Sequence, residues 1–128
     1  MRIFAEELAQ YLEDNTSLVF GTNLMIGELL RGVEGVFLTT SSGSEPDRYL
    51  PTFNETIDFW SIYKDSEDGY NILKTLYFLL HRREHYNLTS YHIYYSNALG
   101  QIGDFDRDAE GRKIWKLTLD FTCLQLIS

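Results

Sequence analysis

Apolar residues recur along the chain in two rhythms, one helical and one alternating, and these divide it into seven elements. Phe4, Leu8, Tyr11 and Leu12 share one face of a helix predicted over residues 3–13, with Glu6, Glu7 and Glu13 elsewhere. Asp14-Asn15-Thr16 ends it. Residues 24–30 read as a first strand, with Gly27 marking a bulge or a close backbone approach. After a turn at residues 32–35, residues 36–40 form a second strand. The polar stretch 41–48, broken by Gly43 and Pro46, reads as a loop. Residues 56–64 are rich in β-formers (Ile57, Phe59, Trp60, Ile62, Tyr63) on both faces, which predicts a central strand covered on both sides.

A second helix follows. Asp65 or Ser66 caps it, and Glu67 and Asp68 favour the positive end of its dipole. Tyr70, Leu73, Tyr77 and Leu80 form its apolar stripe, widened by Ile72, Leu76 and Leu79. His81, Arg82, Arg83 and His85 load its last turn, as the negative end prefers. Residues 91–96 form another strand. Ile114 to Leu126 carries the cleanest alternation in the chain: Trp115, Leu117, Leu119, Phe121 and Cys123 against Lys116, Thr118, Asp120 and Thr122. Residues 100–113 form an acidic loop, and 91–126 as a whole a long hairpin. The order α-β-β-β-α-β-β predicts one α+β domain over residues 1–128, a mostly antiparallel sheet with two helices packed on one face. A doubly wound parallel sheet would need more regular alternation of strand and helix.

Composition narrows the function. The formal charge of −8 repels phosphate backbones, so nucleic-acid binding is not expected to be primary; the dense basic patch His81-Arg82-Arg83 is short. A single cysteine, Cys123, excludes an intrachain disulfide and a cysteine-based zinc site, and its strand position predicts a buried apolar role. Acidic Glu6 and Glu7 follow the first residues where a secretory signal would have an apolar region, and no apolar run is long enough to span a bilayer. A soluble chain made in the cytoplasm is expected, with no membrane contact. Its sequons at Asn15, Asn54 and Asn87 are then chance. Nine tyrosines offer contact area with polar tips, in a sheet core or on a contact surface.

Two segments imitate catalytic or metal motifs. His81-Arg82-Arg83-Glu84-His85 matches H-x-x-E-H, in which two imidazoles four apart on a helix can face one zinc ion. No third ligand is indicated, and the dipole already accounts for cations at a helix end. Asp104-Phe105-Asp106-Arg107-Asp108 opens like a calcium loop, but Ala109 and Trp115 stand where glycine and glutamate are required. A solvated turn closed near Gly111 is the expectation. His92, among tyrosines, reads as structural. No phosphate-binding or nucleophile-elbow motif occurs, and no catalytic residue, cofactor or metal ligand is assigned.

An ordered set of short features carries a resemblance. Gly21-Thr22-Asn23-Leu24 leads to Gly27-Glu28-Leu29; Gly43, Pro46-Asp47 and Pro51 frame the next strands; Tyr70 and Leu80-His81 bracket a helix; Leu99-Gly100 and the Asp-x-Glu-Gly-Arg segment 108–112 precede an aromatic final strand. This resembles the tail-terminator and minor-capsid (head–tail joining) proteins of long-tailed bacteriophages. It departs from the pattern at Leu30-Arg31, where proline is usual after Leu29, and at Phe59-Trp60-Ser61, where an arginine is usual. The resemblance implies a cofactor-free structural protein of the virion, assembled in the host cytoplasm. Its subunits form a ring, commonly six-fold, between the tail-tube protein and the head connector or stopper. DNA would pass through without specific binding. The candidate contact residues are Tyr94, Tyr95, Asp104, Asp106, Arg107, Asp108, Glu110, Arg112 and Lys113. Another neck or head-completion role, and a zinc hydrolase built on H-x-x-E-H, are the competing readings.

Overall fold

A computed structural model describes residues 4–27, 33–41, 52–108 and 110–126. The predicted strand end at 28–30 and the polar loop at 42–48 lie outside these residues. The elements run α1 (Phe4–Asn15), β1 (Leu24–Ile26), β2 (Gly35–Ser41), β3 (Thr52–Ile62), α2 (Ser66–Leu80), β4 (Arg83–Asn87), β5 (Tyr91–Ala98), β6 (Gly103–Arg107) and β7 (Lys113–Gln125). They form one sheet in the order β1-β2-β3-β7-β5-β4, with β6 also paired to β7. The β1–β2 pair is parallel and the rest are antiparallel. The α+β architecture and the mostly antiparallel sheet are as the periodicity predicts.

The two rhythms explain the layers. In β7, Leu117, Leu119, Phe121 and Cys123 are fully buried, while Lys116, Thr118, Asp120 and Thr122 point the other way. Register carries this division across the sheet: Leu38, Phe59 and Leu117 lie in one row, and Thr40, Ile57 and Leu119 in the next. Against this face α1 buries Phe4, Leu8 and Leu12, and α2 buries Leu73, Leu76 and Leu80. Both helices thus cover one face. Burial of this apolar surface, at about 25 cal/mol per Å², is the main stabilising contribution. Gly69 brings α2 close to the sheet: a methyl group there would lie 3.1 Å from Ser61 Oγ and 3.2 Å from Trp115 Cδ1. Ser61 Oγ donates to Gly69 O and Trp115 Nε1 donates to Ser66 O, which fixes the start of the helix on β3 and β7. Asp65 is the cap, accepting from Glu67 N at 3.0 Å.

Several expectations are corrected. The second helix stops at Leu80 rather than running through His85. His81 is extended, Arg82 takes a positive φ of 58°, and Arg83 enters β4. Buried hydrogen bonds outweigh the dipole preference: Tyr86 Oη donates to Ser96 Oγ at 2.8 Å, and Ser96 Oγ donates to Leu80 O at 2.6 Å, tying the helix end to the β4–β5 pair. The Arg83 guanidinium lies over the Tyr86 and Tyr11 rings instead of capping a helix. Residues 100–113 are not one loop, because β6 lies within them; β5 and β6 pair with different stretches of β7. Glu7 is buried, 4% exposed, rather than on the solvent side of α1; its carboxylate accepts from Ser90 N and ties α1 to the β4–β5 turn. Gly27, with φ of 105°, ends β1 instead of bulging within it, and its N–H donates to Leu38 O. β3 is central but only partly covered on its outer face. Phe37, Ile62 and Ile114 form a small second cluster there with Trp60, while Asp58 and Thr118 stay half-open to solvent.

Candidate protein-contact site

The outer face of the sheet is polar. Thr118 Oγ1 donates to Asp58 at 2.6 Å, Thr56 Oγ1 to Asp120 at 3.2 Å, and Trp60 Nε1 to Thr39 Oγ1 at 2.8 Å. These bonds hold side chains upright on adjacent strands and make the face stiff. At one end β6 adds an aromatic ridge. Phe105 packs edge-on against Trp60 with centroids 4.8 Å apart, and Lys116 Nζ lies 4.7 Å over the Trp60 ring. Phe105 is nonetheless 57% exposed, and Leu99 nearby is 59% exposed. A shallow groove runs between them, floored by Lys116 and Thr118. On the helix side of the β5–β6 connection, Tyr70, Tyr77, Phe78 and Ile102 line a second groove, in which Phe78 is largely exposed. Exposed aromatics grouped this way, beside a strand whose five residues are all exposed, are the marks of a protein-contact surface.

The β6–β7 hairpin that carries Phe105 is closed by the Asp-x-Glu-Gly-Arg segment, and the structure supplies its physical reason. Asp108 Oδ1 accepts from the backbone N–H groups of Glu110 (3.0 Å) and Arg112 (2.8 Å), while Oδ2 accepts from Arg112 Nε (2.8 Å). Gly111 adopts a positive φ of 80°, a conformation that costs other residues roughly 1–2 kcal/mol. Arg107 Nη1 donates to Gly111 O, and Lys113 pairs with Asp104 at 3.0 Å. Partial desolvation pushes the Asp108 carboxyl up. The hydrogen bonds and charge of Arg112 and the Glu110 N–H outweigh it and hold the group below its ordinary 3.8. A depressed carboxyl stabilises the fold above its unfolded value and loses that contribution as pH falls through the folded value. The hairpin tip is therefore expected to loosen below about pH 4, with the Gly111 amide resonance moving in acid before the core amides do. Tip and core amides melting together would contradict this.

The predicted contact residues fall into two groups. Asp104, Asp106, Arg107, Asp108, Glu110, Arg112 and Lys113 all belong to the β6–β7 hairpin, but Arg112 is buried against Asp108 and shapes the turn from within. Tyr94 and Tyr95 lie elsewhere. Tyr95 pairs with Thr122 and Asp104 with Trp115, seven positions apart along β7 or roughly 23 Å at about 3.3 Å per residue. The aromatic ridge and the two grooves also group Trp60, Leu99, Phe105 and Phe78, none of which the sequence singles out as a candidate contact residue. The alternation of β7 places Lys116 on the outer face, but its aromatic neighbours come from β3 and β6 and carry no local signal.

The two imitated motifs dissolve in the fold. Residues 81–85 are not helical, so the spacing of four no longer aligns His81 with His85. His81 stacks on Tyr77 and its Nδ1 accepts from Ala98 N at 3.0 Å. No cluster of three or more histidine, cysteine or acidic side chains among the described residues is arranged to hold a metal ion. Asp106 and Asp104 are committed to Arg107 N and Lys113. Cys123 is fully buried; burial first, then the charges of Glu55 and Asp120, push its thiol up to about 12. Native protein is expected to resist thiol reagents until unfolded, and rapid stoichiometric labelling of the folded chain would contradict that. No described helix is long and apolar enough to cross a membrane.

Comparison with known families gives one match: the model of the bacteriophage tail terminator protein family covers residues 11–125. The chain belongs to the bacteriophage tail terminator family. The match takes in the end of α1, all of α2 and every strand described above, so the whole sheet and the residues lining both grooves fall within it. It is a structural family of the phage tail, which makes the chain a phage tail protein. No individual curated protein matches the chain.

Proposed function

We propose that this tail terminator forms a closed ring, most simply of six copies, which caps the tail tube and joins it to the head connector or stopper. The observation that carries this reading is the β6–β7 hairpin. It projects a rigid, turn-locked arm with exposed Phe105, beside a separate apolar groove around Phe78. Two unlike patches on one subunit are what a heterologous ring requires, since each copy offers one patch to the next and closure follows from rotation. The outer sheet face, with Asp58 and Asp120 upright and a chain charge of −8, suits a channel wall past which DNA slides without binding. Assembly takes place in the host cytoplasm, with no membrane and no cofactor involved. The hairpin residues Asp104, Asp106, Arg107, Glu110 and Lys113 face the neighbouring copy or the next ring, and Tyr94 and Tyr95 form a separate contact on β5.

Light scattering on the purified chain, alone and with tail-tube protein, tests the ring. A species of about six chain masses in at least one mixture is expected. A strict monomer in both would overturn it. Capture by connector protein but not by tail-tube protein would instead assign the chain to another neck position.

A further inference from the structure

Two of the three histidines take no part in the β6–β7 hairpin, in either groove or in helix packing, and their arrangement has a chemistry of its own. β4 and β5 pair with Glu84 opposite Tyr95, Tyr86 opposite Ile93 and Asn87 opposite His92, a continuous register in which His85 falls opposite Tyr94. His85 sits in the left-handed region, φ 48°, a conformation that costs a non-glycine residue roughly 1–2 kcal/mol. It is an exposed residue, and its Nδ1 lies 3.4 Å from Nε2 of His92. His92 Nδ1 donates to Asn87 Oδ1 at 2.6 Å. That bond places the ring proton on Nδ1 and leaves the Nε2 lone pair aimed at His85. The Tyr94 ring stands edge-on to both imidazoles, 4.8 Å from His92 and 5.9 Å from His85, and limits their rotation.

We propose that His85 and His92 form a two-imidazole site for a borderline divalent transition metal, with Zn²⁺ the reference ion and water completing the coordination. Zinc binds imidazole nitrogen at about 2.0–2.1 Å, and two such bonds at the tetrahedral angle separate the nitrogens by roughly 3.3–3.4 Å. The observed 3.4 Å matches. Imidazole donors without thiolate or bidentate carboxylate select zinc, nickel or copper over magnesium or calcium. The Asn87 contact is the outer hydrogen bond that such ligands ordinarily carry, fixing tautomer and ring angle. The bound ion would tie β4 to β5 at the edge of the sheet. This is a different site from the H-x-x-E-H pairing, because the partner of His85 is His92 and not His81. It stands independently of the ring reading.

The full chain titrated calorimetrically with zinc chloride in a non-chelating buffer tests the site. One saturable equivalent is expected, with a rise in melting temperature that His92→Ala abolishes. Asn87→Ala should weaken binding about 10-fold or more. Imidazole ¹⁵N shifts of the unmodified protein give a readout independent of any variant. Zinc should move His85 Nδ1 and His92 Nε2 and leave His81 in place. Absence of saturable binding, binding that survives both His85→Ala and His92→Ala, or shifts confined to His81 would each overturn the proposal.

Discussion

Replacing Phe121 by alanine is expected to destabilise the protein by about 3–5 kcal/mol, the range for truncating a buried phenylalanine. Phe121 is fully buried at the middle of β7, the strand that pairs with β3, β5 and β6. Its ring meets Phe4 of α1 at 5.3 Å, in a T-shaped contact at 61°. Glu55 and Ser96 flank it in register on either side. Removing the ring leaves a cavity between a helix and two strand pairs, and a ladder bonded on both sides resists collapsing to fill it. A domain of this size has about 5–15 kcal/mol in total, so the loss is a large fraction. With a urea slope of roughly 1–3 kcal/mol/M, the unfolding midpoint should fall by at least about 1 M with the slope unchanged. Thr122→Ala, one residue on but on the outer face, should cost under about 1 kcal/mol. A shift for Phe121→Ala no larger than that of Thr122→Ala would mean that β7 is not the centre of the core.

The second large effect is functional. Phe105→Glu should leave the fold intact and abolish tail completion. The ring is mostly solvent-exposed, and the pair it makes with Trp60 is worth only about 0.5–1.5 kcal/mol. On the ring reading, however, the same side chain is an aromatic anchor at a subunit contact. Loss of such an anchor costs at least about 2 kcal/mol, some 30-fold in affinity, before any charge repulsion is counted. Asp104 and Asp106 on the same strand add that repulsion. Phe105→Tyr keeps the aromatic surface and should retain function. Plaque complementation and negative-stain images of tails check this. Normal tails and titres from Phe105→Glu would remove the hairpin from the interface.

How much of this could be read from residues alone varied with the length of the periodic signal. Nine alternating positions in β7 stated its two faces without ambiguity, and Phe4, Leu8 and Leu12 did the same for α1, since the side-chain period follows from backbone geometry. The Asp108–Arg112 segment was recognisable as a pattern, though its reason appeared only when one carboxylate was seen to accept from two backbone amides and a guanidinium. β4 and β6 were missed. Each is five residues long; β4 has Tyr86 as its single buried residue and β6 has none. Such strands form because an existing edge offers hydrogen-bond partners, not because their own side chains seek a core. The His81–His85 segment was misread for a related reason. The dipole term that favours cations at a helix end is under about 1 kcal/mol at a surface. The buried Tyr86–Ser96–Leu80 hydrogen bonds, which end the helix early, join three elements distant in sequence.

By itself, then, the sequence determined the class of fold, the two faces of the longest strand, the inward stripe of α1, that of α2 except for Tyr70, which is exposed, and the kinship with tail terminators. All of these follow from short-range periodicity or from ordered local motifs. Only the tertiary structure decided which residues meet: Trp60 with Phe105, His85 with His92, Glu7 with Ser90. Such pairs depend on strand register and on a one-residue bulge between Ile93 and Tyr95. A shift of one residue turns every side chain to the opposite face, and no local pattern names the partner that each residue meets across the sheet.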